Sequence, residues 1–381
     1  MKILIVGGSW NCKLNQDNVS YGKSSSLVNK VADILKQNSG FNIDVYNGGK
    51  YERLNELINT AVEYDFVFWW ANVDNNLPKI RNVKEVAPKV MLVNSKRDDN
   101  DKYTFQELLQ KSLALKANLT FKFKKVKDKM FELTIFDPLG CVWYQGVDIK
   151  EAVNACINRL IFLSKMTRQG TIKSEENYIT PNESDFVDTV RKYANIFQTY
   201  MGKDVKTERF VGNASLRKNF SDSRCGKGMP SFKRNGIVYM SKRNVDKQFI
   251  TLDNFVPIYL KNKRLMYCGE NKPSVDSPVQ IRLYDYFPKI NYMLHSHCYI
   301  KNAPFTNTAI PCGAIEEFDE IIKTLLNEDE KYSQVIKINL LGHGSIVMWN
   351  NMKQFHEEIE KNLEYYMRDL PEIMYKNQEV I

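Results

Sequence analysis

The feature that most constrains the fold of this 381-residue chain is an alternation of strand-like and helix-like segments through its first half. Short apolar runs predict buried strands, and the segments between them repeat apolar residues with helical spacing. Strands are predicted at 2–6, 41–46, 65–71 and 88–94, and helices at 23–37 and 51–63. Successive units of this kind predict a parallel sheet with helices on both faces, because parallel strands need a crossover connection. We therefore expect a Rossmann-like α/β domain.

A change of pattern marks the end of this domain. Apolar and polar residues alternate on both sides of the turn Lys127-Asp128-Lys129, which predicts an antiparallel hairpin added to the sheet. A helix predicted at 149–166 closes the domain, which we place at 1–166. The polar stretch 167–184 has few apolar residues and is predicted to be a linker.

Ligands of such domains usually bind at the carboxyl ends of the strands. The expected positions here are a loop at 7–11 and the segment 20–26 before the first helix. Gly22-Lys23-Ser24 resembles the end of a phosphate-binding loop, but Asp17 stands where that loop needs a glycine. A capped helix after an ordinary loop explains the segment more simply, so the ligand of this domain is not predicted.

The second domain is placed at 185–381. Its pattern predicts helices on a mostly antiparallel sheet, and hence an α/β or α+β arrangement. Helices are predicted at 186–201, 278–287, 315–326 and 352–367, and strands at 236–240, 289–297, 335–341 and 345–349, with a hairpin about Asn262-Lys263.

Three of the four histidines lie at the ends of these predicted strands. His295 and His297 are two residues apart, so in an extended strand their side chains leave the same face. His343 follows another strand, in the run Leu340-Leu341-Gly342-His343-Gly344. Three neutral imidazoles with one coordination position left open are typical of a catalytic zinc site.

Composition narrows the class of protein. Hydrophobic residues make up 43% and charged residues 26%, as in ordinary globular proteins, and no run reaches the roughly 18 apolar residues of a membrane span. Seven cysteines without regular spacing favour reduced thiols and a cytoplasmic location. The net charge of +9 is spread among acidic residues, which disfavours nucleic acid and suits small anionic substrates.

The motifs of residues 185–370 resemble those of the class II aldolase/adducin family, of the L-fuculose-phosphate aldolase type. Their order is that of the family, and Asp276 lies nineteen residues before His295. The motifs are Gly212-Asn213-Ala214-Ser215-Leu216-Arg217, Pro273-Ser274-Val275-Asp276, the two-histidine strand, and His343-Gly344 followed by an apolar strand.

The resemblance implies a divalent metal ion, most often Zn²⁺, held by three histidines. A carboxylate beside the metal is expected to act as acid and base, and Asp276 takes that position. By the same resemblance the metal ligands are His295, His297 and His343, and the phosphate group of the substrate is bound by Asn213, Ser274, Arg243 and Asn244.

Three departures bear on the reaction. Val275 replaces a serine of the family's phosphate-binding residues, Arg243-Asn244 takes the position of a Ser/Thr-Gly pair, and Asp276 replaces a longer glutamate. We therefore expect a metal-dependent, aldolase-type lyase that acts on a phosphorylated sugar or a related hydroxy-carbonyl compound through an enediolate. The resemblance also implies a homo-oligomer, a tetramer in the family.

Other functions fit the same residues. Enediolate chemistry also serves epimerases and dehydratases. Adducin-like relatives keep the fold as a non-catalytic binding or assembly module. A nucleotide-binding first domain that carries the main activity is a further alternative.

Overall fold

The computed structural model describes residues 1–11, 14–15, 18–19, 22–73, 83, 89–127, 130–176, 178, 180–198, 210–218, 236–325 and 333–375. The chain forms two compact units, one of Met1–Lys165 with Leu370–Ile381 and the other of Met166–Asp369. None of the helices within the described ranges is long and apolar enough to cross a membrane.

The first unit alternates strands and helices. Its strands are β1 (Lys2–Asn11), β2 (Leu14–Asn15), β3 (Asn18–Val19), β4 (Asn42–Lys50), β5 (Phe66–Trp69), β6 (Asn72–Val73), β7 (Val90–Arg97), β8 (Leu119–Lys127), β9 (Met130–Phe136) and β10 (Cys141–Gly146). Its helices are α1 (Ser26–Ser39), α2 (Glu52–Thr60), α3 (Phe105–Ala114) and α4 (Ile149–Lys165), with a 3-10 turn at Ala61–Glu63.

The second unit is built around its own sheet. Its strands are β11 (Thr171–Ser174), β12 (Asn213–Lys218), β13 (Ile237–Ser241), β14 (Phe255–Lys261), β15 (Arg264–Cys268), β16 (Tyr292–Ser296), β17 (Tyr299–Ile300), β18 (Val335–Leu340), β19 (Gly344–Trp349) and β20 (Tyr365–Tyr366). Its helices are α5 (Ser184–Lys192), α6 (Ala194–Gln198), α7 (Ser277–Tyr286), α8 (Glu316–Thr324) and α9 (Met352–Gln354), with shorter turns at Lys247–Phe249, Leu252–Asn254, Phe355–Ile359 and Glu360–Asn362. A last strand, β21 (Glu372–Ile373), belongs to the first unit.

The main sheet of the first unit has the order β21-β10-β9-β8-β7-β5-β1-β4, with β6 also paired to β1. Strands β4, β1, β5, β7 and β8 run parallel, and β9 and β10 are antiparallel additions. The predicted α/β class with a parallel sheet and an added hairpin is therefore confirmed. Burial explains the strand signal, because the apolar residues Ile3, Leu4, Ile5 and Val6 are all fully buried.

The predicted loop at 7–11 is wrong, because β1 continues through these residues to Asn11. The glycines produce a bulge between Gly7 and Trp10 rather than an end to the strand. Gly7 is required there because a Cβ would lie 2.5 Å from a methyl group of Val28 on α1. Within the segment 20–26, the Ser25 hydroxyl accepts a hydrogen bond from Val28 N and caps α1. Asp17, Ser20 and Tyr21 lie outside the described residues.

The sheet of the second unit has the order β11-β15-β14-β13-β12-β16-β19-β18. All neighbours are antiparallel except β11 and β15. The predicted hairpin about Asn262-Lys263 joins β14 to β15, with both residues at positive φ (51° and 63°). Successive residues of β16 enter different cores: Met293 packs with α7, and Leu294 packs with Phe186 of α5.

Three boundaries of the second domain differ from prediction. The linker at 167–184 contains β11, a four-residue strand whose Ile172 is exposed, so apolar content could not reveal it. The helix predicted at 352–367 ends at Asn362, and β20 follows it. The range 185–381, predicted to be one domain, includes β21, which pairs with β10 of the first unit.

Candidate metal centre

The three strand-end histidines converge at one end of the second sheet. His295 lies in β16, His297 follows that strand, and His343 lies in the turn between β18 and β19. Because Ser296 of β16 pairs with Ser345 of β19, the turn lies beside the end of β16. The ring centroids are 4.7–5.4 Å apart. One ligand nitrogen of each ring lies within 4.8 Å of the other two.

Hydrogen bonds orient two of the three rings. Nδ1 of His295 lies 3.0 Å from the Ser345 carbonyl oxygen, and Nδ1 of His343 lies 2.6 Å from Oε1 of Glu317. Each bond uses Nδ1 as donor and leaves Nε2 with its lone pair. Both Nε2 atoms are buried, and neither makes a hydrogen bond to any residue of the described ranges. A buried polar atom left without a partner is costly. The lone pairs of these two Nε2 atoms are therefore suited to bind a cation.

The protonation states of the rings also suit a metal ion. Burial lowers the pKa of His295 to about 4, and the neighbouring His343 adds to this effect. The pKa of His297 falls well below its ordinary value for the same two reasons. Burial acts in the same direction on His343, but the facing Glu317 carboxylate outweighs it and raises the pKa of that ring. Two of the three imidazoles are therefore neutral near pH 7, the form that binds metal.

Asp276 lies beside the histidines at the start of α7. Its Oδ2 is 3.7 Å from Nε2 of His295 and accepts hydrogen bonds from Asn213 (2.9 Å) and Ser274 (3.2 Å). Burial by itself raises the pKa of Asp276, but His295, His343 and hydrogen bonds from neighbouring side chains bring it below its ordinary value. The group is therefore a buried carboxylate at neutral pH.

Of the four residues predicted to bind phosphate, Asn213 and Ser274 lie together, whereas Arg243 and Asn244 lie in an exposed turn. Nδ2 of Asn213 lies 3.0 Å from the Ser274 hydroxyl, and both side chains contact Asp276. Arg243 and Asn244 form an exposed turn after β13. Nε of Arg243 donates to the Pro273 carbonyl at 3.0 Å, so this side chain holds the turn that carries Asp276.

Several polar residues of the site were not predicted. Glu317 follows Glu316 at the start of α8, where acidic residues are common because they interact favourably with the helix dipole, so no local pattern marks its role. The Cys312 thiol donates to Oδ1 of Asp276 at 3.1 Å. Gln280 of α7 bonds Asn213 and accepts from Ser215 at 2.7 Å, which fixes the Asn213 amide.

Lys247 is a buried cation near the same site. It is 1% exposed, and its Nζ donates to the Val211 carbonyl at 3.3 Å, two residues before Asn213. Within the described part of the chain no carboxylate lies within ion-pair distance of it. Burial lowers its pKa to about 8, although Asp246 and Asp276 act against this. An ammonium group with one neutral acceptor retains donors for an anion.

Comparison with known proteins defines no family for this chain. No protein-family model matches it. No curated protein matches it either. Among solved structures, the Streptococcus pneumoniae DNA/pantothenate metabolism flavoprotein has 11% identity and a TM-score of 0.34, and the match covers 42% of this chain and 99% of that one.

Aldolase-type structures are also among the matches. An L-fuculose 1-phosphate aldolase has 16% identity and a TM-score of 0.31, over 47% of this chain and 84% of that one. YgbL from Klebsiella pneumoniae, a putative aldolase/epimerase/decarboxylase, has 14% identity and a TM-score of 0.27, over 48% and 96%. These TM-scores are too low to assign this chain a fold or an activity.

Proposed function

We propose that the second unit is a metal-dependent, aldolase-type lyase for a phosphorylated sugar or a related hydroxy-carbonyl compound. The observation that carries the proposal is the convergence of His295, His297 and His343 on one point beside the buried carboxylate of Asp276. A non-catalytic module has no need for the buried Nε2 atoms of His295 and His343, which make no hydrogen bond within the described ranges, next to a buried carboxylate.

A divalent cation, with Zn²⁺ the best match to three imidazoles, would be held by His295, His297 and His343. When bound, it supplies Lewis-acid polarisation of a substrate carbonyl. Glu317 and the Ser345 carbonyl keep the rings of His343 and His295 in the tautomer that presents Nε2.

Asp276 is the proton-transferring group in this proposal. A carboxylate that is charged at neutral pH accepts a proton from a substrate hydroxyl or from the carbon beside a carbonyl, and returns it later in the reaction. Asn213, Ser274 and Cys312 hold both of its oxygens by hydrogen bonds, so its position is fixed before substrate arrives.

Lys247 supports an anionic substrate. Among the described residues Lys247 has no carboxylate partner, so its burial is costly, and a substrate phosphate would offset that cost. Lys247 donates to the carbonyl of Val211, two residues before Asn213, and in this proposal both side chains bind the substrate phosphate.

The test is proton exchange and cleavage by the zinc-loaded protein. Pentose and hexose phosphates are incubated in deuterated water, and we monitor loss of the substrate C–H signal and release of triose phosphate or glycolaldehyde. Asp276→Asn should lower both rates by about 10²–10⁴-fold, the usual contribution of a general base. Asp253→Asn is the matched control, because Asp253 is an exposed carboxylate of the same unit.

Exchange without cleavage would favour an epimerase over a lyase. Zinc-loaded protein that neither exchanges nor cleaves any of these phosphates would contradict the proposal and favour a binding module.

A further inference from the structure

A second candidate site lies in the first unit, where its sheet divides. The last pairing of β7 with β5 joins Leu92 to Trp69, and β7 then continues to Arg97 paired with β8 alone. On the other side, β6 continues the chain after β5 and pairs with β1. The carboxyl ends of β5 and β7 therefore separate after Trp69 and Leu92. Ligands of α/β sheets usually bind where neighbouring strands separate in this way.

A cavity of about 440 Å³ occupies this division, between the strand ends and α3. Its volume falls within the roughly 300–1,000 Å³ usual for small-molecule sites. Trp69, Leu92 and Leu108 supply apolar surface. Asn72 and Asn94 also line it, and within the described ranges their side-chain amides make no hydrogen bond, so they retain donors and acceptors for a ligand.

Two lysines give the cavity a positive side. Lys96 of β7 and Lys111 of α3 both line it, and their Nζ atoms lie 4.6 Å and 3.3 Å from the centroid of the Tyr103 ring. Neither lysine has a carboxylate within ion-pair distance among the residues described here. By contrast, the nearby Lys122 and Lys124 both pair with Asp101. Two ammonium groups held against one ring, and without an acidic partner in the described part of the chain, are suited to bind an anion.

We propose that this cavity binds a phosphate-bearing small molecule of nucleotide size. Its phosphate would lie between Lys96 and Lys111, and its base or other planar part would pack against Trp69, Leu92 and Leu108 with Asn72 and Asn94 as polar contacts. The site is separate from the histidine cluster and does not depend on the function proposed for the second unit.

Calorimetric titration of the 381-residue chain tests this proposal. The probes are AMP, CMP, adenosine and inorganic phosphate, with a chelator present so that no metal ion binds phosphate. We expect AMP or CMP to bind more tightly than adenosine or phosphate, because only the nucleotides can occupy both parts of the cavity. Lys96→Gln and Lys111→Gln should each weaken nucleotide binding about tenfold or more, the usual effect of losing a charge-assisted hydrogen bond.

Two further variants make the result specific. Lys30→Gln removes the same charge from an exposed position on α1 and should leave binding unchanged. Ala114→Phe, at an exposed residue of the cavity rim, should weaken nucleotide binding by occupying space without disturbing the core. The proposal is overturned if neither nucleotide binds at millimolar concentration, or if Lys96→Gln and Lys111→Gln bind nucleotide as well as Lys30→Gln does.

Discussion

At the residue scale, the candidate centre depends on groups that orient the histidines. The 2.6 Å contact between Glu317 and His343 joins two buried side chains, and Glu317 determines which ring nitrogen faces the other imidazoles. Burying a charged carboxylate costs free energy unless the carboxylate is paired. The contact with His343 offsets that cost.

Replacing Glu317 by glutamine should weaken Zn²⁺ binding by about 10–100-fold, the usual effect of losing such a supporting group. Glutamine keeps the volume but removes the charge that strengthens the imidazole as a ligand. Competition with a chromogenic chelator measures the affinity. Asp319→Asn removes a charge from an exposed position of the same helix and should have no effect. Equal affinities in the two variants would disprove the role of Glu317.

The pKa of Lys247 gives a prediction about pH. Its pKa is about 8 in the folded chain and higher in the unfolded chain, so between these values the unfolded state binds more protons. The free energy of unfolding should therefore rise with pH above 8, by up to about 3 kcal/mol from this residue.

The Lys247→Met variant has no ionisable group at this position, so its free energy of unfolding should not show the rise above pH 8 that is due to Lys247. Urea unfolding of both proteins at pH 8 and pH 10 makes the comparison, since other titrating groups are common to the two. Identical pH dependence would show that Lys247 is not a desolvated cation.

At the element scale, the close approach of β16 and the start of β19 brings the histidines together. Gly344 has φ of 154°, and a Cβ there would lie 2.0 Å from the Ser296 carbonyl oxygen. Only glycine lets the turn that carries His343 approach the end of β16 so closely. The His-Gly pair in the sequence therefore has a steric basis.

Gly344→Ala should destabilise the second unit by about 1–3 kcal/mol, because the backbone of β16 must move. It should also weaken metal binding, since His297 is displaced with that backbone. Gly170→Ala is the matched control, because a Cβ at Gly170 meets no atom within 4 Å. Thermal unfolding and zinc titration of the two variants would contradict this account if they gave the same result.

Arg217, the last residue of the run that begins at Gly212, supports the connection before β16. Arg217 donates to the carbonyl oxygens of Tyr284 (2.7 Å), Phe287 (3.3 Å) and Pro288 (2.5 Å), and also to that of Ile290. These carbonyls lie at the end of α7 and in the segment that leads to β16. The arginine therefore stabilises the scaffold of the site without taking part in it.

At the scale of the whole molecule, the segment that begins at Leu370 belongs to the first unit, although it follows the second unit in the sequence. Leu370 and Ile373 pack against the cluster of Leu108, Leu109, Phe136 and Val142, and β21 extends the first sheet. Leu370 and Ile373 thus contribute to the core of the first unit.

Removing residues 370 onward should lower the thermal stability of the first unit and leave zinc binding by the second unit unchanged. The physical reason is the loss of β21 and of the apolar contacts of Leu370 and Ile373. Differential scanning calorimetry with a zinc titration of the shortened chain checks both parts. Loss of zinc binding with an intact first transition would contradict the division into units.

Much of the fold was predictable because local periodicity encodes it. The parallel strands β1 and β5 contain uninterrupted apolar runs, and apolar and polar residues alternate along the β8–β9 hairpin. The bulge at Gly7 and the edge strand β11 were not predictable, because each depends on a partner distant in sequence, namely β4 and β15.

The site was predictable to a similar extent. The spacing of His295 and His297 and the order of motifs predicted which side chains meet. Glu317 and Cys312 were missed because they reach the centre only through tertiary packing, and no local pattern marks them. The exposed positions of Arg243 and Asn244 likewise follow from a turn whose direction the sequence does not specify.

The central claim is that three histidines bind one ion, and metal content measures it most directly. After zinc loading and removal of excess, mass spectrometry should find about one Zn²⁺ per chain in the unsubstituted protein. His295→Gln, His297→Gln and His343→Gln should each lose it, whereas His356→Gln should keep it, because His356 is bound to Asp185 and Glu360 at the surface. Unsubstituted protein without zinc, or equal zinc in all four variants, would contradict the claim.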